Sequence, residues 1–168
     1  MSDPIIDLHS DDYFMGEALR QAAKAYEQDE VPVGAVVVRD GRIIARASNQ
    51  VELLKDATAH AEMLALTQAQ EAVGDWRLTD CTLYVTKEPC PMCAGAIVHT
   101  RLARVVFGAS DPKGGAAGGA MNLLQFPTLN HHCEITGAVR AEECASLLKS
   151  FFAAKREKEK NSQAGGRN

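Results

Sequence analysis

Val33-Gly34-Ala35-Val36-Val37-Val38-Arg39, then Asp40-Gly41, then Arg42-Ile43-Ile44-Ala45-Arg46-Ala47-Ser48 is the stretch that decides the fold. Two apolar runs flank Asp-Gly, a dipeptide that reaches the positive φ angles of a two-residue turn at low cost. They predict an antiparallel hairpin, Val33 to Arg39 against Arg42 to Ser48. Upstream, Phe14, Ala18, Ala22 and Tyr26 recur every fourth residue and predict a helix over Asp11 to Glu27, capped by Ser10 or Asp11. Downstream, Asn49 to Ala57 reads as a polar loop. Thr58 reads as the cap of a helix to about Val73 that buries Ala59, Met63, Leu66 and Val73.

Further out, Thr82 to Thr86 predicts a strand. Pro91 suits the first turn of a helix that continues to His99. Arg104 to Gly108 is another strand, Asp111 to Gly119 a loop rich in glycine and alanine, and Glu134 to Val139 the last strand. A final helix from Ala141 buries Cys144, Leu147, Leu148, Phe151 and Phe152, spaced i, i+3, i+4, i+7, i+8. Asn161 to Asn168 reads as a structureless tail. A hairpin followed by strands alternating with helices predicts one α/β domain over residues 1–160. Its expected form is three-layer α-β-α, a mixed sheet with helices on both faces.

A chain of 168 residues fits one domain. At 46% hydrophobic and 24% charged, it has the composition of a globular protein. No apolar run approaches ~18–20 residues, and Met1 to Ser10 lacks a basic region leading into an apolar one. The expectation is a cytoplasmic protein with no membrane partner. Cys81, Cys90, Cys93, Cys133 and Cys144 make an odd number, which argues against a disulfide framework and leaves Cys90/Cys93 as a metal or redox pair. A formal charge of −4 is not the footprint of a general nucleic-acid binder. Yet Lys149, Lys155, Arg156, Lys158, Lys160 and Arg167 crowd the C-terminal end against only Glu157 and Glu159. That run is either a solvated helix end or a local phosphate-facing patch.

Two segments carry chemistry: His60-Ala61-Glu62 and Pro89-Cys90-Pro91-Met92-Cys93. Each leads into a predicted helix, where first-turn N–H groups and the helix dipole favour thiolates. Cysteines three apart at a helix start share a face and can share one ion, with His60 as third ligand. Three protein ligands are the mark of catalytic zinc, which keeps a position for water, whereas structural zinc is closed by four. Water bound there loses a proton near neutral pH. Glu62, two residues past His60, points to another side of the helix and is the catalytic candidate, a proton shuttle. Taken singly, the elements leave other readings open. Cys-x-x-Cys is also a redox pair or half of a structural zinc site completed by Cys133, Cys144, His131 or His132, and His60 alone could be a core histidine.

Together, His-x-Glu and Pro-Cys-x-x-Cys resemble the signature of the zinc nucleobase deaminases. From about Tyr13 to Arg156 the chain resembles the bacterial tRNA-specific adenosine deaminase family. The likeness runs through Glu30-Val31-Pro32-Val33-Gly34-Ala35, Thr58-Ala59-His60-Ala61-Glu62, Leu83-Tyr84-Val85-Thr86 and Glu88-Pro89-Cys90. Met92-Cys93-Ala94-Gly95-Ala96, Arg104-Val105-Val106-Phe107-Gly108-Ala109, Asn130-His131, Glu134-Ile135-Thr136 and Phe151-Phe152 complete it.

The resemblance implies a five-stranded, cytidine deaminase-like sheet and a homodimer with one zinc per subunit. It implies hydrolytic conversion of a wobble adenosine to inosine in a tRNA anticodon, an arginine tRNA being the expected partner. Asn49 matches an asparagine that hydrogen-bonds the purine, Ala61 a backbone amide at the base edge, and Val31 an apolar pocket wall. Asp111 and Lys113 match a loop near the RNA backbone. Ser110 stands where the family commonly has arginine, Gln125-Phe126 where close relatives carry histidines, and His132 where arginine is common. The alternative function is a deaminase of free guanine, cytosine or a deoxynucleotide.

Overall fold

The structure, a computed structural model, describes residues 7–166. The first six residues, read above for a leader, and Arg167 of the basic run lie outside them. Helix α1 (Asp11–Glu27) is followed by β1 (Gly34–Arg39), β2 (Arg42–Ser48), α2 (Val51–Leu54) and α3 (Ala61–Val73). Then come β3 (Cys81–Lys87), α4 (Pro91–His99), β4 (Arg104–Ala109), β5 (Glu134–Thr136) and α5 (Ala141–Ala164).

The strands form one mixed sheet in the order β2-β1-β3-β4-β5. β1 runs antiparallel to both β2 and β3, while β3, β4 and β5 are parallel. Asp40 (φ 51°) and Gly41 (φ 72°) take the two positive angles of the hairpin turn. A bulge between Val37 and Val38 shifts the register, so that Val37 faces Ala45 and Val38 faces Ile43.

The strand period of two sorts the core into two layers. Ala35, Val37, Leu83, Val85, Val105 and Phe107 point to one face, where they pack with Ala61, Ala65, Leu66 and Ala69 of α3 and Ala94 and Ile97 of α4. Val36, Val38, Tyr84 and Val106 point to the other, against Phe14, Met15 and Ala18 of α1 and Cys144 of α5. β1 is buried on both faces, which is why it reads as an almost unbroken apolar run. Gly34 marks the closest approach of α1: a Cβ there would strike the backbone of Ala18 and Ala22. Asp11 ties the start of α1 to the sheet, accepting from Arg104 Nη1 at 2.9 Å and Nη2 at 2.7 Å and from the Tyr84 hydroxyl at 2.8 Å.

Several elements differ from the sequence reading. The polar loop 49–57 contains the short helix α2. Thr58 does not cap α3: its N–H and hydroxyl both donate to Asp56 Oδ1, and His60 holds the N-cap position. The last strand stops at Thr136, because Ala138 turns to φ 61°. α5 continues to Ala164, four residues into the expected tail, and is exposed from Phe152 onward. Phe152, assigned above to the core, is 40% exposed.

Candidate active site

The site lies beyond the C-terminal end of β3, the central strand, at the starts of α3 and α4. His60 is the N-cap of α3 and Cys90 the N-cap of α4, and neither side chain is spent on capping. Pro91 occupies the first turn of α4, where a missing N–H costs nothing. Cys93 follows one turn later on the same face. His60 Nδ1 lies 3.6 Å from Cys90 Sγ and 3.5 Å from Cys93 Sγ. All three donor atoms fall within 4.8 Å of one another.

Among the described residues no fourth histidine, cysteine or carboxylate joins this group. His131 and His132 instead sit on the carbonyls of Leu102 and Phe126. The Cys133 thiol donates to the Glu134 carbonyl, and Cys144 packs from α5 onto the sheet. One imidazole and two thiols are the donor set borderline-soft zinc prefers, and a set of three is the catalytic rather than the structural number. The chemistry of the site therefore fits a zinc ion.

The two thiols are driven in opposite directions. Hydrogen bonds from Cys93 first, then from His60, pull the Cys90 thiol down to about 3 against the effect of burial. Its bond to Cys90, followed by burial, pushes Cys93 up. The Cys90 bond also raises His60. Glu62 is 3% exposed, and burial raises its carboxyl above the usual range. His60, Glu62 and Cys90 open into a cavity of about 400 Å³, while Cys93 is fully buried.

Val31, Asn49 and Ala61 also line this cavity. Asn49 is 7% exposed; its Nδ2 donates to the Val31 carbonyl at 3.2 Å, while its buried Oδ1 has no partner. Ala61 opens α3, where first-turn N–H groups have no helical acceptor. Asp111 and Lys113 are not brought into the cavity. Asp111 Oδ1 accepts from the N–H groups of Lys113 and Gly114, and its Oδ2 lies 3.3 Å from Lys87 Nζ. Ser110 and Phe126 are exposed, and Gln125 bonds back to the Cys133 carbonyl.

Glu30, Lys87 and Glu88 are among the lining residues that had not been singled out as site residues. Glu88 is 3% exposed and accepts from Asp111 N at 3.0 Å, Ala117 N at 3.0 Å and Gly119 N at 2.9 Å. The glycine-rich loop wraps this carboxylate so closely that a Cβ on Gly119 would stand 2.6 Å from Glu88 Oε1. Ala116 N donates to the Pro89 carbonyl, which ties the same loop to the turn bearing Cys90. A charged residue directly before Pro89-Cys90 was the available signal for Glu88, and one directly before the apolar Val31-Pro32-Val33 that leads into the hairpin was the signal for Glu30.

A mixed five-stranded α/β sandwich of this order, with a histidine and two cysteines beside a buried glutamate, defines a deaminase of the cytidine deaminase-like fold. The chain belongs to the MafB19-like deaminase family, whose model matches residues 9–156. It is 53% identical over 150 residues to the tRNA-specific adenosine deaminase of Bacillus subtilis (strain 168), covering 89% of this chain and 93% of that one. A solved structure from work on A-to-I editing by tRNA:A34 deaminases at the wobble position superposes with a TM-score of 0.77 at 46% identity. That match covers 80% of this chain and 98% of the other. A guanine deaminase from Bacillus subtilis shares 40% identity with a TM-score of 0.57, covering 63% of this chain and 68% of its own. Among the described residues no helix is long and apolar enough to cross a membrane.

Proposed function

We propose that this enzyme converts the wobble adenosine of a tRNA anticodon, that of an arginine tRNA, to inosine. It acts in the cytoplasm as a homodimer with one zinc ion per subunit. The observation that carries this reading is the group of His60, Cys90 and Cys93 beside buried Glu62 in a chain 53% identical to a tRNA-specific adenosine deaminase.

His60 Nδ1, Cys90 Sγ and Cys93 Sγ would hold the zinc. When bound, it would supply Lewis-acid activation of water near neutral pH. Glu62 takes a proton from the attacking water and hands it to a ring nitrogen of adenine. Attack forms the C6–O bond; Glu62 then takes the proton of that new hydroxyl and passes it to the amine, so that the carbonyl of inosine forms as the C6–N bond breaks and ammonia departs. The raised pKa of Glu62 suits a group that must both accept and return a proton. Asn49 hydrogen-bonds the purine, Val31 walls the pocket and the Ala61 N–H meets the base edge. Asp111 accepts from a ribose hydroxyl and Lys113 meets phosphate. A wobble base is poorly stacked, so drawing it into the cavity costs little.

Glu62→Gln is expected to keep its zinc while turnover falls about 10²–10⁴-fold, as measured by inosine formation and metal content. Full activity in Glu62→Gln, or in a zinc-free chain, would overturn this assignment. A second reading, deamination of a free base, is favoured by the net charge of −4 and by the likeness to a guanine deaminase. It predicts turnover of guanine or cytosine with the RNA left unchanged.

A further inference from the structure

Glu30 lies in the connection between α1 and β1 and is 1% exposed. Its Oε1 accepts from Leu53 N at 2.7 Å and its Oε2 from Glu52 N at 3.1 Å. None of the ion pairs among the described residues includes it. Its acceptors are spent on the first-turn N–H groups of α2, whose own N-cap, Gln50, makes no side-chain cap bond. A helix of four residues fixes more backbone dihedrals than its internal bonds repay, and residues 52–58 are all exposed. Glu30 therefore caps α2 from outside the helix, doing across space what an N-cap side chain does locally. A leucine would fill the same volume without burying a carboxylate, but it could not accept these two bonds.

The segment so held carries Asn49. Its backbone N–H donates to the Val33 carbonyl at 3.0 Å and its Nδ2 to the Val31 carbonyl at 3.2 Å. With Nδ2 committed, the unpartnered Oδ1 is the acceptor that this cavity-lining residue has left. Val31 thus holds the Asn49 amide itself and Glu30, its neighbour in sequence, holds the chain three and four residues further on.

We propose that Glu30 is a positioning residue for substrate binding: by capping α2 it fixes the segment that carries Asn49 and so aims the Asn49 carbonyl at the base. This rests on the proposed contact between Asn49 and the purine. Steady-state kinetics of the zinc enzyme on an anticodon stem-loop test both. Glu30→Gln keeps the volume but offers one acceptor instead of two. It is expected to raise KM about tenfold and leave kcat within about twofold. Asn49→Ala is expected to raise KM by a similar factor, and the double variant to be no worse than Asn49→Ala alone. If Asn49→Ala raises KM but Glu30→Gln does not, or if the two penalties multiply, the positioning role is wrong. If Asn49→Ala leaves KM unchanged, the base contact itself is wrong and the positioning role falls with it.

Hydrogen exchange on the unaltered protein gives a test that needs no variant to fold. The amides of Glu52 and Leu53 are expected to exchange at least about tenfold more slowly than that of Ala57, in the same exposed segment. Equal rates would refute the cap.

Discussion

Glu88→Gln puts a number on the carboxylate that joins the metal-ligand turn to the glycine-rich loop. Glutamine is nearly isosteric, but it replaces one oxygen by an NH₂ group. Its best orientation keeps the carbonyl toward Ala117 N and Gly119 N and turns the NH₂ toward Asp111 N–H, donor against donor. Losing a charge-assisted bond at a buried site costs about 1.5–3 kcal/mol, and the two surviving bonds weaken to neutral strength. Relief from burying a charge offsets part of this, leaving a net loss of about 2–4 kcal/mol. For a chain of this length that corresponds to a fall in Tm of roughly 5–15 °C. Thermal unfolding of the zinc-loaded protein reads it, with Glu134→Gln on the exposed edge strand as the control. A Tm for Glu88→Gln within about 1 °C of the parent would refute the claim that this carboxylate organises the loop.

Arg104, then Tyr84, hold the Asp11 carboxyl below its ordinary value of 3.8, so its contribution is fully present above that value and is lost as pH falls through the lowered one. Asp11→Asn is therefore expected to cost about 1 kcal/mol at pH 7, after allowing for solvent screening, and the gap in Tm should close in acid; a gap that persists would contradict the pairing. Removing zinc with a chelator should destabilise the protein by about 4 kcal/mol relative to a metal concentration a thousandfold above Kd, and lower Tm accordingly, because the ligands tie the starts of α3 and α4 together. Trimming the chain after Phe152 removes Lys155, Arg156, Lys158 and Lys160 and should weaken RNA binding and flatten its dependence on salt; an unchanged slope would mark the run as a solvated face.

The hairpin was legible because Asp40-Gly41 and its β-branched flanks state turn and strand together. The observed bounds of α1 and α4 coincide with the expected ones, since Ser10 and Pro91 are local signals that act where they stand. α2 was invisible because its cap comes from Glu30, some twenty residues upstream. Thr58 looked like a cap, but the nearer acceptor, Asp56, takes both its donors. Helical periodicity placed Phe152 in the core, and it would be there if α5 stayed on the sheet; the outer half of α5 is exposed instead.

At the site, spacing offered His60, Cys90 and Cys93 as one ligand set among other readings and the resemblance to the zinc deaminases selected it; the structure sets their donor atoms within 4.8 Å of one another. What spacing could not convey was the loop at Asp111 to Gly119 folding back onto Glu88. That contact joins segments with no pattern in common, and glycines that read only as a loop serve close approach.

The most direct test is to incubate the zinc-loaded protein with an arginine-tRNA anticodon stem-loop carrying a wobble adenosine, with free guanine and cytosine in parallel, and to identify the products by mass. The account expects inosine at the wobble position alone, one ammonia released per inosine, and both free bases unchanged. Conversion of a free base while the stem-loop keeps its adenosine would contradict it.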